Sequence, residues 1–169
     1  SNISIKSNLI GLYNANNVSA AITAGKFFGV DDLSIKEALE SYVPENNRSQ
    51  LMSKGTNEII LDAYNANPSS MAVAIENFLQ LEKPNKVVVL GDMFELGEES
   101  QKEHAEIVKS LVNNGSVKCY FVGKAFYESK ISYPHFDFHE TFDTFSDFLK
   151  QKKIERSTIL IKGSRGMAL

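Results

Sequence analysis

One cysteine, Cys119, occurs among 169 residues. No disulfide can therefore form within the chain, its stability has to come from packing, and a reducing, cytoplasmic setting is expected. No apolar run approaches the roughly 20 residues that cross a bilayer, and the polar start at Ser1-Asn2 is unlike a secretory signal. The 18 basic and 21 acidic residues are interspersed and leave a net charge of −3. Without a basic stripe, neither nucleic acid nor an anionic membrane is an expected partner. There is no G-x-x-x-x-G-K-[ST] phosphate loop, no nucleophile elbow and no cluster at metal-ligand spacing. Arginine is scarce, with only Arg48, Arg156 and Arg165. These absences exclude a complete catalytic apparatus and leave binding and positioning.

What is present suits one domain core, or one core with an attached piece, since 43% of the residues are hydrophobic. The start and the stop at Leu169 read as those of a piece of a longer chain. Residues 13–28 combine small and apolar side chains with few charges. They predict a helix that buries much of its circumference and stops at Gly29. A second short helix is expected with Ser34 as its cap and Glu37 at the capping-box position, ended by Pro44. Residues 43–48 read as a linker.

From residue 49 the pattern predicts an α/β fold. Residues 49–54 and 57–62 suit a hairpin around Gly55-Thr56. A helix follows, with Met71, Ala74, Ile75, Phe78 and Leu79 on one stripe. Residues 86–90 form the continuous apolar run of a buried parallel strand. Further expectations are a helix over 99–114, a strand over 117–122, a helix around Phe142, Phe145, Phe148 and Leu149, and a strand over 158–161. Alternation of this kind predicts a mostly parallel Rossmann-like sheet with flanking helices.

Ligands in such sheets sit beyond the carboxyl ends of the strands. Three expected strand ends carry unusual polar sequence, and all three should lie on one sheet edge. The first is Asp62-Ala63-Tyr64-Asn65-Ala66-Asn67-Pro68. Asn67 before Pro68 makes a good helix cap, which leaves Asp62 and Asn65 unexplained. A strand-end carboxylate that accepts from ribose hydroxyls would account for them. The second, Lys162-Gly163-Ser164-Arg165-Gly166, suits either a basic surface turn or an anion site with a point charge and a bidentate fork. In the third, Asp92 and Glu95 read either as a solvated acidic turn before a helix or as groups that hold Mg2+ or orient a loop. His104 reads as a helix residue with a structural hydrogen bond. His135 and His139 fall in an aromatic loop, and Cys119 reads as a small buried apolar residue.

Taken together, "GLYNANNVSAAITAGKFFGV", "NNRSQ", "ILDAYNANPSSM", "VVVLGDMFELGEES" followed by His104, and "IKGSRGM" resemble the Mur ligase family. The likeness spreads over nearly the whole chain. The asparagine-rich string and the glycine-aspartate-methionine loop resemble the branch that adds D-alanyl-D-alanine to UDP-N-acetylmuramoyl-tripeptide in peptidoglycan precursor synthesis. The resemblance implies that residues 1–47 are the tail of a central ATP-binding domain and residues 48–169 a C-terminal Rossmann-like domain lacking its terminal helix.

It also implies an ATP- and Mg2+-dependent mechanism through an acyl phosphate, with both cofactors held largely by a central domain. Asn14 and Asn17 would lie near the adenine, and Arg48 would reach the nucleotide phosphates. Asp62 would bind the ribose, with Tyr64, Asn65 and Asn67 shaping that face. Lys162, Gly163, Ser164 and Arg165 would approach the acyl acceptor and peptide carboxylates. Asp92, Glu95 and His104 would be loop or Mg2+-associated residues, and no catalytic residue is expected in the chain. Two other readings stay open. One is a different Mur or folylpolyglutamate-type ligase; the other is a non-catalytic Rossmann-like nucleotide-binding module. With the central domain absent, self-association through residues 13–28 is expected.

Overall fold

A computed structural model describes residues 3–9, 11, 14–45 and 47–169. Two helices, α1 (Asn14–Phe27) and α2 (Asp32–Ser41), precede a six-stranded sheet. The strands are β1 (Gln50–Lys54), β2 (Asn57–Asp62), β3 (Lys86–Gly91), β4 (Lys118–Val122), β5 (Phe136–His139) and β6 (Thr158–Lys162). They lie in the order β1-β2-β6-β3-β4-β5. Only the β1–β2 pair is antiparallel; it closes over Gly55, whose φ of +62° favours glycine.

Period-two alternation explains why the central strands read as continuous apolar runs. In β3, Val88 and Leu90 face one layer while Val87 and Val89 face the other. The first layer holds α3 (Pro68–Gln80), α4 (Ser100–Leu111) and α5 (Lys124–Glu128), which contribute Met71, Ile75, Phe78, Leu111 and Phe126. The second holds α6 (Phe142–Gln151), which contributes Phe145. After β5 the chain returns through α6 on the opposite face and inserts β6 between β2 and β3. This reversal of strand order brings the ends of β2, β6 and β3 side by side.

Asn67 caps α3 as expected. Its side chain accepts from the Ser70 N–H at 2.8 Å, Ser70 Oγ accepts from the Asn67 N–H at 3.1 Å, and Pro68 opens the helix. Other expectations are corrected. The cap of α2 is Asp31, whose carboxylate accepts from the N–H groups of Leu33 and Ser34; Ser34 lies inside the first turn and gives its hydroxyl to the same carboxylate. The carboxylate wins because its charge also suits the helix N-terminus, and hydrogen bonding to it holds the Asp31 pKa below the usual carboxylate range. The helix expected over 99–114 spans Ser100–Leu111 behind a short 3-10 turn at Gly97–Glu99. His139 belongs to β5 rather than a loop, and α5 was not expected at all.

The largest difference concerns α1. Its circumference is not buried: Asn14 alone in the helix is buried, and Phe27 and the following Phe28 are 82% and 79% exposed. The reason is that among the described elements α1 packs chiefly on α2, through Gly25 against Ile35. No helix among the described residues is long and apolar enough to cross a membrane.

Cys119 is fully buried, as its apolar setting suggested, and burial pushes its thiol pKa up to about 12. The folded chain should therefore leave Cys119 unmodified by a thiol-exchange reagent at pH 8 while the urea-unfolded chain reacts within minutes. Fast labelling of folded protein would contradict the closed core.

Candidate functional site

The parallel register sets Asp62 at the end of β2 opposite Lys162 at the end of β6. Lys162 Nζ donates to Asp62 Oδ2 at 2.7 Å and to the Asn65 carbonyl at 3.3 Å. The lysine side chain is only 3% exposed and the aspartate 18%, so the ammonium points inward beneath the loop. The other carboxylate oxygen, Asp62 Oδ1, accepts from the Ser49 N–H at 3.2 Å. Each oxygen keeps a further lone pair, so the carboxylate can still accept from a ligand hydroxyl above it. The pair fixes that carboxylate and ties three segments together: the approach to β1, the loop after β2 and the end of β6.

Above this pair lies a cationic rim. The Arg48 guanidinium carbon stands 3.9 Å from the Tyr64 ring centroid and that of Arg165 stands 5.8 Å from it. Tyr64 donates its N–H to the Asn47 carbonyl at 3.1 Å, which seats the Arg48 segment against the loop. Arg48, Tyr64, Asn65, Asn67 and Arg165 are all exposed. The Asn65 side chain accepts from the Ala66 N–H at 2.9 Å, within its own turn.

The rest of the β6 end is built inward. Ser164 is buried; its N–H donates to the Asp92 carbonyl at 3.1 Å, and its Oγ accepts from the Phe94 N–H at 2.9 Å. A Cβ on Gly163 would stand 3.0 Å from Gly91 Cα, so the β3 and β6 ends approach as closely as glycine allows.

Asp92 is not part of a solvated turn. It is buried, and its two oxygens accept from the N–H groups of Ala125 and Phe126, each at 3.0 Å, at the start of α5. His104 is fully buried behind it. Its Nε2 accepts from the Met93 N–H at 2.9 Å while Nδ1 donates to the Ser100 carbonyl at 2.6 Å, which is the neutral Nδ1–H tautomer. Both residues thus orient the β3–α4 loop. Glu95 is exposed with a φ of +64°. No group of three metal-ligating side chains occurs among the described residues, and both Asp92 oxygens already serve backbone donors. Among the described residues, then, Asp92 has no neighbouring ligand cluster with which to hold magnesium.

Asn14 and Asn17 stand on the first turn of α1, where Asn17 Nδ2 donates to Asn14 Oδ1 at 3.0 Å. The residues that sequence reasoning missed act through their backbones: Ser49, Asn47 and Phe94. No residue-type signal marks a backbone donor, but the register of β2 and β6 would have found the ion pair they surround.

Residues 47–165 match the family described as Mur ligase, glutamate ligase domain. Over 162 residues the chain is 32% identical to UDP-N-acetylmuramoyl-tripeptide--D-alanyl-D-alanine ligase of Rickettsia prowazekii, covering 92% of this chain and 35% of that protein. Against the Bacillus subtilis ligase of the same name identity is 33%, covering 95% of this chain and 37% of the relative. The solved UDP-N-acetylmuramoylalanyl-D-glutamyl-2,6-diaminopimelate--D-alanyl-D-alanyl ligase of Acinetobacter baumannii superposes with a TM-score of 0.82 at 27% identity, covering 96% of this chain and 36% of that one. The chain thus spans about a third of the length of these relatives. With the family pattern extending over most of the sheet and its polar edge, the chain belongs to the Mur ligase family.

Proposed function

We propose that this chain is the C-terminal part of an ATP-dependent ligase that adds D-alanyl-D-alanine to UDP-N-acetylmuramoyl-tripeptide in the cytoplasm. In this reading residues 1–47 close the central ATP-binding domain and residues 48–169 form the C-terminal domain. The observation that carries it is the meeting of three motif-bearing strand ends, β2, β6 and β3, on one sheet edge. Asp62 accepts from the ribose hydroxyls while the exposed Arg48 faces the phosphates. Asn14 and Asn17 lie on the adenine side, and Tyr64, Asn65 and Asn67 shape the wall. Arg165, the exposed cation of the β6 end, takes an anionic group of the peptide substrate. Lys162, Gly163 and Ser164 support it from beneath.

The chemistry is positioning and charge stabilisation. ATP phosphorylates the terminal carboxylate of the tripeptide; the amine of D-alanyl-D-alanine then attacks the acyl carbon and expels phosphate. The work of this chain is to hold nucleotide and acyl substrate in register. Magnesium finds no ligand cluster among the described residues of this chain.

The test is phosphate release by the full-length protein with ATP, UDP-N-acetylmuramoyl-tripeptide and D-alanyl-D-alanine. Release should require all three substrates, and omission of the dipeptide should abolish amide product. The 169-residue chain alone should release none, because it carries no phosphate loop. Phosphate release from the isolated chain that rises on adding D-alanyl-D-alanine would sink the reading.

A further inference from the structure

The rim above the Asp62–Lys162 pair joins three separate stretches of chain at one aromatic ring. Arg48 precedes β1, Tyr64 follows β2 and Arg165 follows β6. Two guanidinium groups brought to one ring repel each other, and the negative ring face offsets part of that repulsion. At 3.9 Å the Arg48 guanidinium carbon is close enough to stack on the ring, whereas Arg165 at 5.8 Å lies at the outer range of a cation–π contact. The strand-end carboxylate Asp62 is paired with the buried Lys162. Among the described residues neither guanidinium is paired with a carboxylate. A backbone bond ties the Tyr64 position to the segment that carries Arg48: the Tyr64 N–H donates to the Asn47 carbonyl at 3.1 Å.

We propose that Tyr64 is a positioning residue whose ring gathers the Arg48 and Arg165 guanidinium groups into one clamp for a polyphosphate. The inference rests on the nucleotide reading above for Arg48 and replaces the peptide-anion role given there to Arg165. Arg48 and Arg165, which the family resemblance puts on different substrates, here grip the same anion. Tyr64 acts through its ring face, and its hydroxyl is dispensable.

The experiment uses the chain as it stands, inorganic triphosphate as the probe, and NMR detection of the arginine Nε–H groups. In the unliganded chain the Arg48 signal should carry a ring-current shift that Tyr64→Leu removes and Tyr64→Phe keeps. Triphosphate should move the Arg48 and Arg165 signals along one shared binding curve. Tyr64→Leu should weaken binding about fivefold to tenfold, as loss of two exposed cation–π contacts predicts, with an unchanged amide spectrum. Tyr64→Phe should stay within about twofold of the parent on the same ground. Separate curves for the two arginines, full affinity in Tyr64→Leu, an equal loss in Tyr64→Phe, or no movement with triphosphate would each overturn the clamp. ATP binding no tighter than inorganic triphosphate would leave the clamp standing and count against the nucleoside part of the reading.

Discussion

Asp62→Ala is expected to destabilise this chain by about 3–5 kcal/mol, the range for removing one partner of a buried ion pair. The reason is asymmetric burial. Lys162 is 3% exposed, so loss of the carboxylate leaves an ammonium with only the Asn65 carbonyl as partner. Lys162→Met should cost less, about 1–2 kcal/mol, because Asp62 keeps the Ser49 N–H and some water. The double variant Asp62→Ala/Lys162→Met should be less destabilised than the sum of the single ones, since both charges leave together. Urea unfolding of the three variants measures this, and an Asp62→Ala loss under about 1 kcal/mol would show that the pair is weak, as exposed pairs are. The ribose role needs a gentler change. In the full-length protein Asp62→Asn keeps the volume and loses the charge. It should lower kcat/KM for ATP by about tenfold to a hundredfold, the worth of a charge-assisted hydrogen bond of roughly 1.5–3 kcal/mol. Unchanged ATP kinetics would confine Asp62 to its ion pair.

Asp92→Ala should lower stability by about 2–4 kcal/mol, because the N–H groups of Ala125 and Phe126 each lose a 3.0 Å acceptor in a closed site. For a domain of this size that corresponds to a fall in Tm of roughly 5–15 °C. Asp92→Asn keeps one acceptor oxygen and should lose about half as much. Gly123 ties the same point down from the other side: its φ is +125°, and a Cβ there would stand 2.3 Å from the Asp92 carboxyl carbon. Gly123→Ala should therefore destabilise the same loop by strain as well as by clash. Magnesium chloride should leave the wild-type Tm unchanged at constant ionic strength, since Asp92 is buried and no ligand cluster stands beside it among the described residues. A magnesium-dependent rise in Tm that Asp92→Ala abolishes would restore the metal reading.

Local chemistry determines a good part of this protein. The hairpin over Gly55-Thr56, the Asn67-Pro68 start of α3 and the buried run of β3 depend on neighbours within a few residues, and such preferences are legible in the chain. The polar strand ends were legible too, because clustered small polar and charged side chains at a strand–helix junction are unusual enough to mark an edge. Short elements escaped notice. The five residues of α5 and the four of β5 are too few to show a period, and tertiary packing holds them. What Asp62, Lys162, Asp92, Arg48 and Arg165 do was decided only by the tertiary structure. Asp62 and Lys162 lie 100 positions apart and meet because β6 inserts beside β2. That insertion turns a lysine that reads as an outward anion ligand into a buried brace, and it brings two distant arginines to one tyrosine. The physical reason is that burial and pairing are properties of register and topology. A sequence states which charges exist, and the fold decides which of them face water.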